Sequence, residues 1–456
     1  MVPASTAEVY RCPGEHYDIT RPVHLARLAM SYAKCRHCPF APGAPALRDS
    51  SEAGIEPATL RGISLFTAEG VRGLYLNALT RATAANIAGA MASCLWDDVV
   101  VDRLRATGTF CLQPEAEDAS PSESESLDSV PDSSLAAEGF RLLAPGRPGP
   151  TVVLGHDERP SAPDIVTGVG QSLRRMGCQV VDIGMATRPC LMFAIDHLHA
   201  AGAVHVTGAG CDPGWTGLDF LTRGGIPCST PGDLERIARR FREGFSRPSR
   251  RPGTQRTFQA AVPYEAGLWK HFHALRPLKI AVACPGRTVR DLFTRVFRKL
   301  ACRLLVIETP TRGRVSLDPT DPDLERVSRR IHEIRPHLGA LADEDGERCS
   351  FFDEQGRFVP PSLMARVLAA DFNDAPGRPN PESASNAARG GSALGTSREA
   401  ITSAMLTGQL PFAADGTGRY WFREAYPACD ALLTLVHLLQ VLSRSDRPFS
   451  EVVARA

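Results

Sequence analysis

Runs of β-branched residues alternate along this chain with stretches whose apolar positions recur every three or four residues. From residue 151, TVVLGHDERPSAPDIVTGVGQSLRRMGCQVVDIG reads as a β-branched run, a proline-containing turn, a helical apolar period and a second β-branched run. That is the pattern of a β-α-β unit. A further helix, CLMFAIDHLHAAG, leads into the strand AVHVTG, so 151–220 reads as a sheet covered by helices. After the Arg-, Pro- and Ser-rich FSRPSRRPGTQR the alternation restarts: KIAVAC as strand, TVRDLFTRVFRKLAC as helix, RLLVIE as strand. An amphipathic helix within PDLERVSRRIHEIRPH then runs into the strand LGALAD and an acidic loop, at the kind of strand end where α/β folds place ligands.

Two stretches break the pattern. PEAEDASPSESESLDSVPDSS lacks the large apolar residues needed to offset the entropy of ordering, which predicts a disordered acidic insertion over 105–150. NDAPGRPNPESASNAARGGSALG is too rich in Pro, Gly, Ser and Asn for a packed element and predicts a long loop. Order returns in FAADGTGRYWF and in the apolar helix CDALLTLVHLLQVLSR.

With 456 residues, the chain exceeds what one core supports and implies several domains. Its 52 Lys and Arg nearly cancel its 51 Asp and Glu, which removes the electrostatic argument for nucleic-acid binding. No apolar run reaches the roughly 20 residues of a membrane helix. The first residues carry no basic region followed by an apolar stretch. The expectation is a cytoplasmic protein that neither spans a membrane nor binds nucleic acid. Thirteen scattered cysteines, an odd number, read as mostly buried thiols rather than a disulfide framework.

Three motifs in order, VTGAGCDPGWTGLDF (206–220), ADEDGERCSFFDEQG (342–356) and FAADGTGRYWF (412–422), with LFTAEGVRG (65–73) before them, resemble the phosphohexomutase superfamily of phosphoglucomutases and phosphomannomutases. The resemblance implies an α/β fold of three consecutive phosphohexomutase-type α/β/α domains with mixed sheets. These are 61–250 with the acidic insertion, 251–358 with the metal loop and 359–456 with the sugar-recognition loop. It places Arg72 at the Arg that helps hold the active-site phosphate. It places Ala209 at the serine that carries the phosphate in nucleophilic transfer. The neighbouring polar positions hold Gly210, Cys211 and Asp219, where the family has His, Asn and Lys. Cys211 as a displaced thiolate is the weaker alternative to a small packing residue, and Thr207 reads as a loop hydroxyl.

Asp343, Asp345 and Glu347 stand at alternate positions of the acidic loop, where an extended backbone points side chains the same way and offers oxygens to Mg²⁺. The alternative is a solvated acidic turn. Glu347 is longer than the family's Asp, Glu344 replaces a Gly, and Arg348 keeps the family's Arg. By the same resemblance Asp415 and Thr417 stand for the Glu and Ser that read sugar hydroxyls, and Arg419 replaces a His. Family members normally add a fourth domain with a phosphate clamp, and the sequence ends before one.

The leader, 1–60, lies outside the resemblance. Cys35 and Cys38 form a C-x-x-C pair, and Cys12 with His16 would complete a tetrahedron about Zn²⁺. Either it is a zinc knob that contacts a protein partner or a set of unpaired thiols. The expectation is therefore a carbohydrate-metabolism family member that is catalytically inactive, a pseudoenzyme that binds a hexose phosphate or regulates. The alternatives are an active intramolecular phosphotransferase with another nucleophile or a completing subunit, and a zinc-stabilised interaction protein.

Overall fold

The computed structural model describes residues 65–106, 149–309, 322–373, 397–408, 410–423, 426 and 428–456, with scattered positions between 9 and 40. Nearly all of the acidic insertion and of the Pro- and Gly-rich loop, and Cys12 of the leader, lie outside the described residues. In the leader, β1 (Val9–Tyr10) pairs antiparallel with β2 (Ile19–Thr20).

The first body is a six-stranded sheet. Its strands are β3 (Val71–Leu74), β4 (Thr151–His156), β5 (Gln179–Met185), β6 (Gly202–Val206), β7 (Trp215–Thr222) and β8 (Gln255–Thr257), in the spatial order 3-7-6-4-5-8. Strands β6, β4, β5 and β8 run parallel, and β7 and β3 add antiparallel pairs at one edge. Because β8 pairs with β5, this body extends past the sequence boundary expected at 250. Helices α1 (Arg81–Ala106) and α2 (Ala162–Arg175) pack together on one face, and α3 (Arg188–His197) on the other. The strand period of two sorts the core. Val152 and Leu154 of β4 enter the cluster beneath α1 and α2, while Val153 between them enters the cluster shared with the second body.

Helices α4 (Asp233–Glu243) and α5 (Ala261–Leu268) precede the second body. It comprises β9 (Lys279–Ala283), α6 (Arg287–Phe297), β10 (Arg303–Ile307), α7 (Pro322–Ile334), β11 (Leu338–Ala342), β12 (Cys349–Phe352) and β13 (Phe358–Val359). The order is 10-9-11-12-13, the first three parallel and the last two antiparallel. Again the period of two divides the residues: Ile280 and Val282 face the large shared core, and Ala281 and Ala283 face α7.

The C-terminal segment contributes α8 (Pro361–Asn373), α9 (Arg398–Leu406), a hairpin of β14 (Phe412–Ala414) and β15 (Tyr420–Phe422), α10 (Ala431–Ser443) and α11 (Phe449–Arg455). Helix α10 is predominantly apolar and largely buried, and its Leu432, Leu435 and Leu439 join the second body's core. The architecture is mixed α/β with several sheets, and no helix among the described residues is long and apolar enough to cross a membrane.

Candidate functional site

Four parallel strands end at one cleft, because each hands its chain to a loop at its carboxyl end: β4 to Asp157–Arg159, β5 to Arg188, β6 to Thr207–Gly210, and β11 to Asp343–Glu347. The cleft encloses about 300 Å³ and is lined by Arg72, Ala209, Asp219, the acidic loop, Arg398 and Arg419 among others. Residues from all three sequence segments therefore meet here.

The first wall is the turn 65–70 with β3. Gly70 is required there: a Cβ would stand 2.4 Å from Asp219 Oδ1 and 3.0 Å from the Leu218 carbonyl oxygen. That closeness lets Arg72 Nη1 reach Asp219 Oδ1 at 2.5 Å. The other oxygen of Asp219 accepts from Arg188. Burial alone would raise the Asp219 carboxyl, but Arg72 and then Arg188 drive it far below the usual carboxylate range. Desolvation works against the Arg72 guanidinium, and Asp219 more than restores it, raising its pKa. The group that the resemblance assigns to phosphate thus already holds a carboxylate.

The second wall repeats the arrangement. Arg188 Nε lies 2.9 Å from Glu347 Oε1, Arg398 Nη1 donates to Glu347 Oε2 at 3.0 Å, and Arg419 Nε lies 3.6 Å from the same oxygen. Burial would raise Glu347, yet Arg188, Arg398 and Arg419 together hold it at about 2. Arg398 also reaches Glu69 Oε2 at 2.8 Å. Arg72, Asp219, Arg188, Glu347, Arg398 and Glu69 form one alternating chain of charge across the three segments.

The remaining acids behave oppositely. Asp343 is pushed up to about 7 by burial and then by Asp345 and Glu347. Glu344 reaches about 7 through burial and Asp345, opposed by Arg159. Asp345 is raised chiefly by burial. Their oxygens already serve the protein. Asp343 Oδ1 accepts the Glu347 N–H at 2.9 Å, Asp345 Oδ1 accepts from Thr207 Oγ1 at 3.1 Å, and Glu344 Oε1 accepts from Gly210 N at 3.1 Å and Arg159 Nη2 at 2.9 Å.

Arg159 pins the loop that follows β6, donating to the carbonyls of Asp212 at 2.7 Å, Trp215 at 3.1 Å and Cys211 at 3.0 Å. Ala209 faces the cleft, and its N–H donates to Thr207 Oγ1 at 3.0 Å. The Cys211 thiol is raised by burial against the pull of Arg72 and Arg159, which disfavours the thiolate. Glu158 crosses to the second body and accepts from Arg287 N at 2.9 Å and Thr288 N at 2.8 Å. It caps α6, whose own N-cap position, Gly286, has no side chain to do so.

Several sequence expectations need correction. The three-carboxylate Mg²⁺ set does not form, because Glu347 turns to the arginines; among the described residues no group of three His, Cys, Asp or Glu could hold a metal. The donors present do not fit the Mg²⁺ that the resemblance implies. The same absence applies to the zinc expectation. Cys35 and Cys38 are buried, His16 is exposed, and Cys12 lies outside the described residues. Asp415 and Thr417 do not line the cleft. Asp415 Oδ1 accepts from Thr417 N and Oγ1, both at 2.8 Å, so the pair satisfies itself; of that loop only Arg419 lines the cleft. Arg159, Arg188, Arg398 and Glu69 were not singled out from the sequence. Two had a readable signal, since Arg159 and Arg188 follow the carboxyl ends of parallel strands.

Comparison with known proteins agrees with this geometry. Residues 133–247 match the model for phosphoglucomutase/phosphomannomutase alpha/beta/alpha domain I. A phosphoglucomutase/phosphomannomutase of Thermococcus kodakarensis is 23% identical over 341 residues, covering 70% of this chain and 74% of that protein. A phosphoglucosamine mutase of Symbiobacterium thermophilum is 23% identical over 335 residues, covering 69% and 74%. The crystal structure of a phosphoglucomutase/phosphomannomutase family protein from Burkholderia thailandensis shares the fold, with a TM-score of 0.63, 21% identity and coverage of 85% of this chain and 78% of that one. Residues 133–247 thus match this family's first domain, and over about 70% of its length the chain is similar to phosphoglucomutase/phosphomannomutase and phosphoglucosamine mutase proteins.

Proposed function

We propose that this chain is a carbohydrate-metabolism member of its family that does not transfer phosphate and that binds a phosphosugar in the cleft. The observation that carries this reading is Ala209. It faces the cleft where the resemblance puts the phosphate-carrying serine, and a methyl group has no oxygen with which to form a phosphoenzyme. Among the described residues lining the cleft, Thr67 has the one hydroxyl, and it is engaged, donating to the Gly70 carbonyl at 2.9 Å.

Binding is a separate matter from transfer. Arg348 lines the cleft and takes part in no ion pair among the described residues, whereas Arg72, Arg398 and Arg419 are each held by a carboxylate. A phosphate monoester supplies the charge-assisted partner that Arg348 lacks.

The test is incubation with glucose 1-phosphate or mannose 1-phosphate, the bisphosphate activator and Mg²⁺. The expected result is no 6-phosphate product, together with a melting point raised by the hexose phosphate and unmoved in R348Q. Robust turnover would sink the reading in favour of an active intramolecular phosphotransferase. A hexose phosphate that leaves the melting point unchanged would remove the binding half.

A further inference from the structure

A second pocket, of about 110 Å³, opens at the other end of the second sheet, where β9 and β11 begin rather than end. Five residues of β11 separate it from the acidic loop, roughly 16 Å of strand. It shares no lining residue with the cleft.

Three arginines are among the residues that line it, Arg276 before β9, Arg335 after α7 and Arg447 between α10 and α11. Neither Arg335 nor Arg447 is in an ion pair among the described residues, and both side chains are exposed. Arg276 reaches Asp446 Oδ1 at 2.5 Å, but that aspartate is fully solvent-exposed, and the Arg276 Nε is buried without a hydrogen-bond partner. The carboxylate of Glu354 also lines the pocket and does not answer them. Its oxygens accept from Ser450 N at 3.1 Å and Ser450 Oγ at 2.5 Å, which caps α11. His337 accepts the Lys279 N–H at its Nδ1, at 2.8 Å, which makes its Nε2 a donor. The floor is apolar, formed in part by Leu442 and Phe449.

Three arginines lining one largely apolar pocket match one ligand chemistry. Guanidinium forks bind phosphate oxygens bidentately, and two uncommitted forks beside a third with a buried unpaired N–H suit a dianion better than a single carboxylate. The volume is that of about three or four water molecules, room for one phosphate group and little more. The geometry points to a second, distal site for the phosphate group of a small phosphate monoester, independent of the cleft.

Isothermal titration of the full chain with inorganic phosphate at fixed ionic strength tests this. The measurement is made in R348Q, so that the cleft does not contribute. R348Q is expected to bind phosphate, and adding R335Q and R447Q is expected to weaken that binding at least about tenfold. Arg335 and Arg447 are exposed, so their loss leaves the core intact. Should the triple variant nevertheless unfold, R348Q with R447Q alone gives the same readout at smaller amplitude. Equal affinity with and without the two arginines, or no phosphate binding in R348Q, overturns the proposal.

Discussion

Glu347 and Glu344 lie three residues apart on the same loop, yet one is held at about 2 and the other at about 7. Burial pushes both carboxyls up. The difference is how many guanidiniums reach each. Glu347 meets Arg188, Arg398 and Arg419, from two other parts of the chain, while Glu344 has Arg159 alone and must also stand beside Asp345. One half of the acidic loop has become the centre of an ion-pair network, and the other half remains a crowded set of carboxyls. A run of acids in a sequence therefore does not carry one chemistry.

Removing the shared cation breaks the contrast most severely. R188M leaves Asp219 and Glu347 buried without the arginine between them, and is expected to cost about 3–5 kcal/mol in urea denaturation. E347Q comes next. Glu347 binds its proton less tightly folded than unfolded. Its contribution, on the order of 3 kcal/mol, is present above pH 4.5 and is lost as the pH falls toward 2. Urea midpoints measured across that range should fall less steeply in E347Q than in the parent chain.

The other half of the loop gives the opposite sign. Glu344 binds its proton more tightly in the folded state, so stability declines as the pH rises from about 4.5 through 7. E344Q should reduce that slope by up to about 1.4 kcal/mol per pH unit, read from denaturation curves between pH 5 and 7. A slope unchanged in E344Q would mean that the crowding is relieved by solvent. The smallest effect is expected for A209S. It should alter stability by no more than about 0.5 kcal/mol and yield no 6-phosphate product, because Arg72 stays committed to Asp219. Turnover in A209S would show that the missing hydroxyl is the whole of the defect.

Much of the fold was legible. The switches between periods of two and 3.6 located β4, β5, β6, β9, β10 and β11, and the carboxyl end of β11 marked where the cleft would open. The end of the first body was missed because Gln255–Thr257 is a short, fully exposed strand with no apolar alternation to read. Within the site, Ala209 was fully readable, since the absence of an oxygen is a property of the residue itself. Asp415 accepts from Thr417 Oγ1, two residues on, a local closure that residue types leave open.

The sequence by itself determined which groups are chemically available: a methyl at 209, four acids within 343–347, and arginines in plenty. Only the tertiary structure decided which arginine neutralises which acid. Arg72 and Asp219 are 147 residues apart in the chain, yet meet within hydrogen-bonding distance. Coulomb energy depends on separation in space and on the surrounding dielectric, and both are set only once the three segments have docked around the cleft.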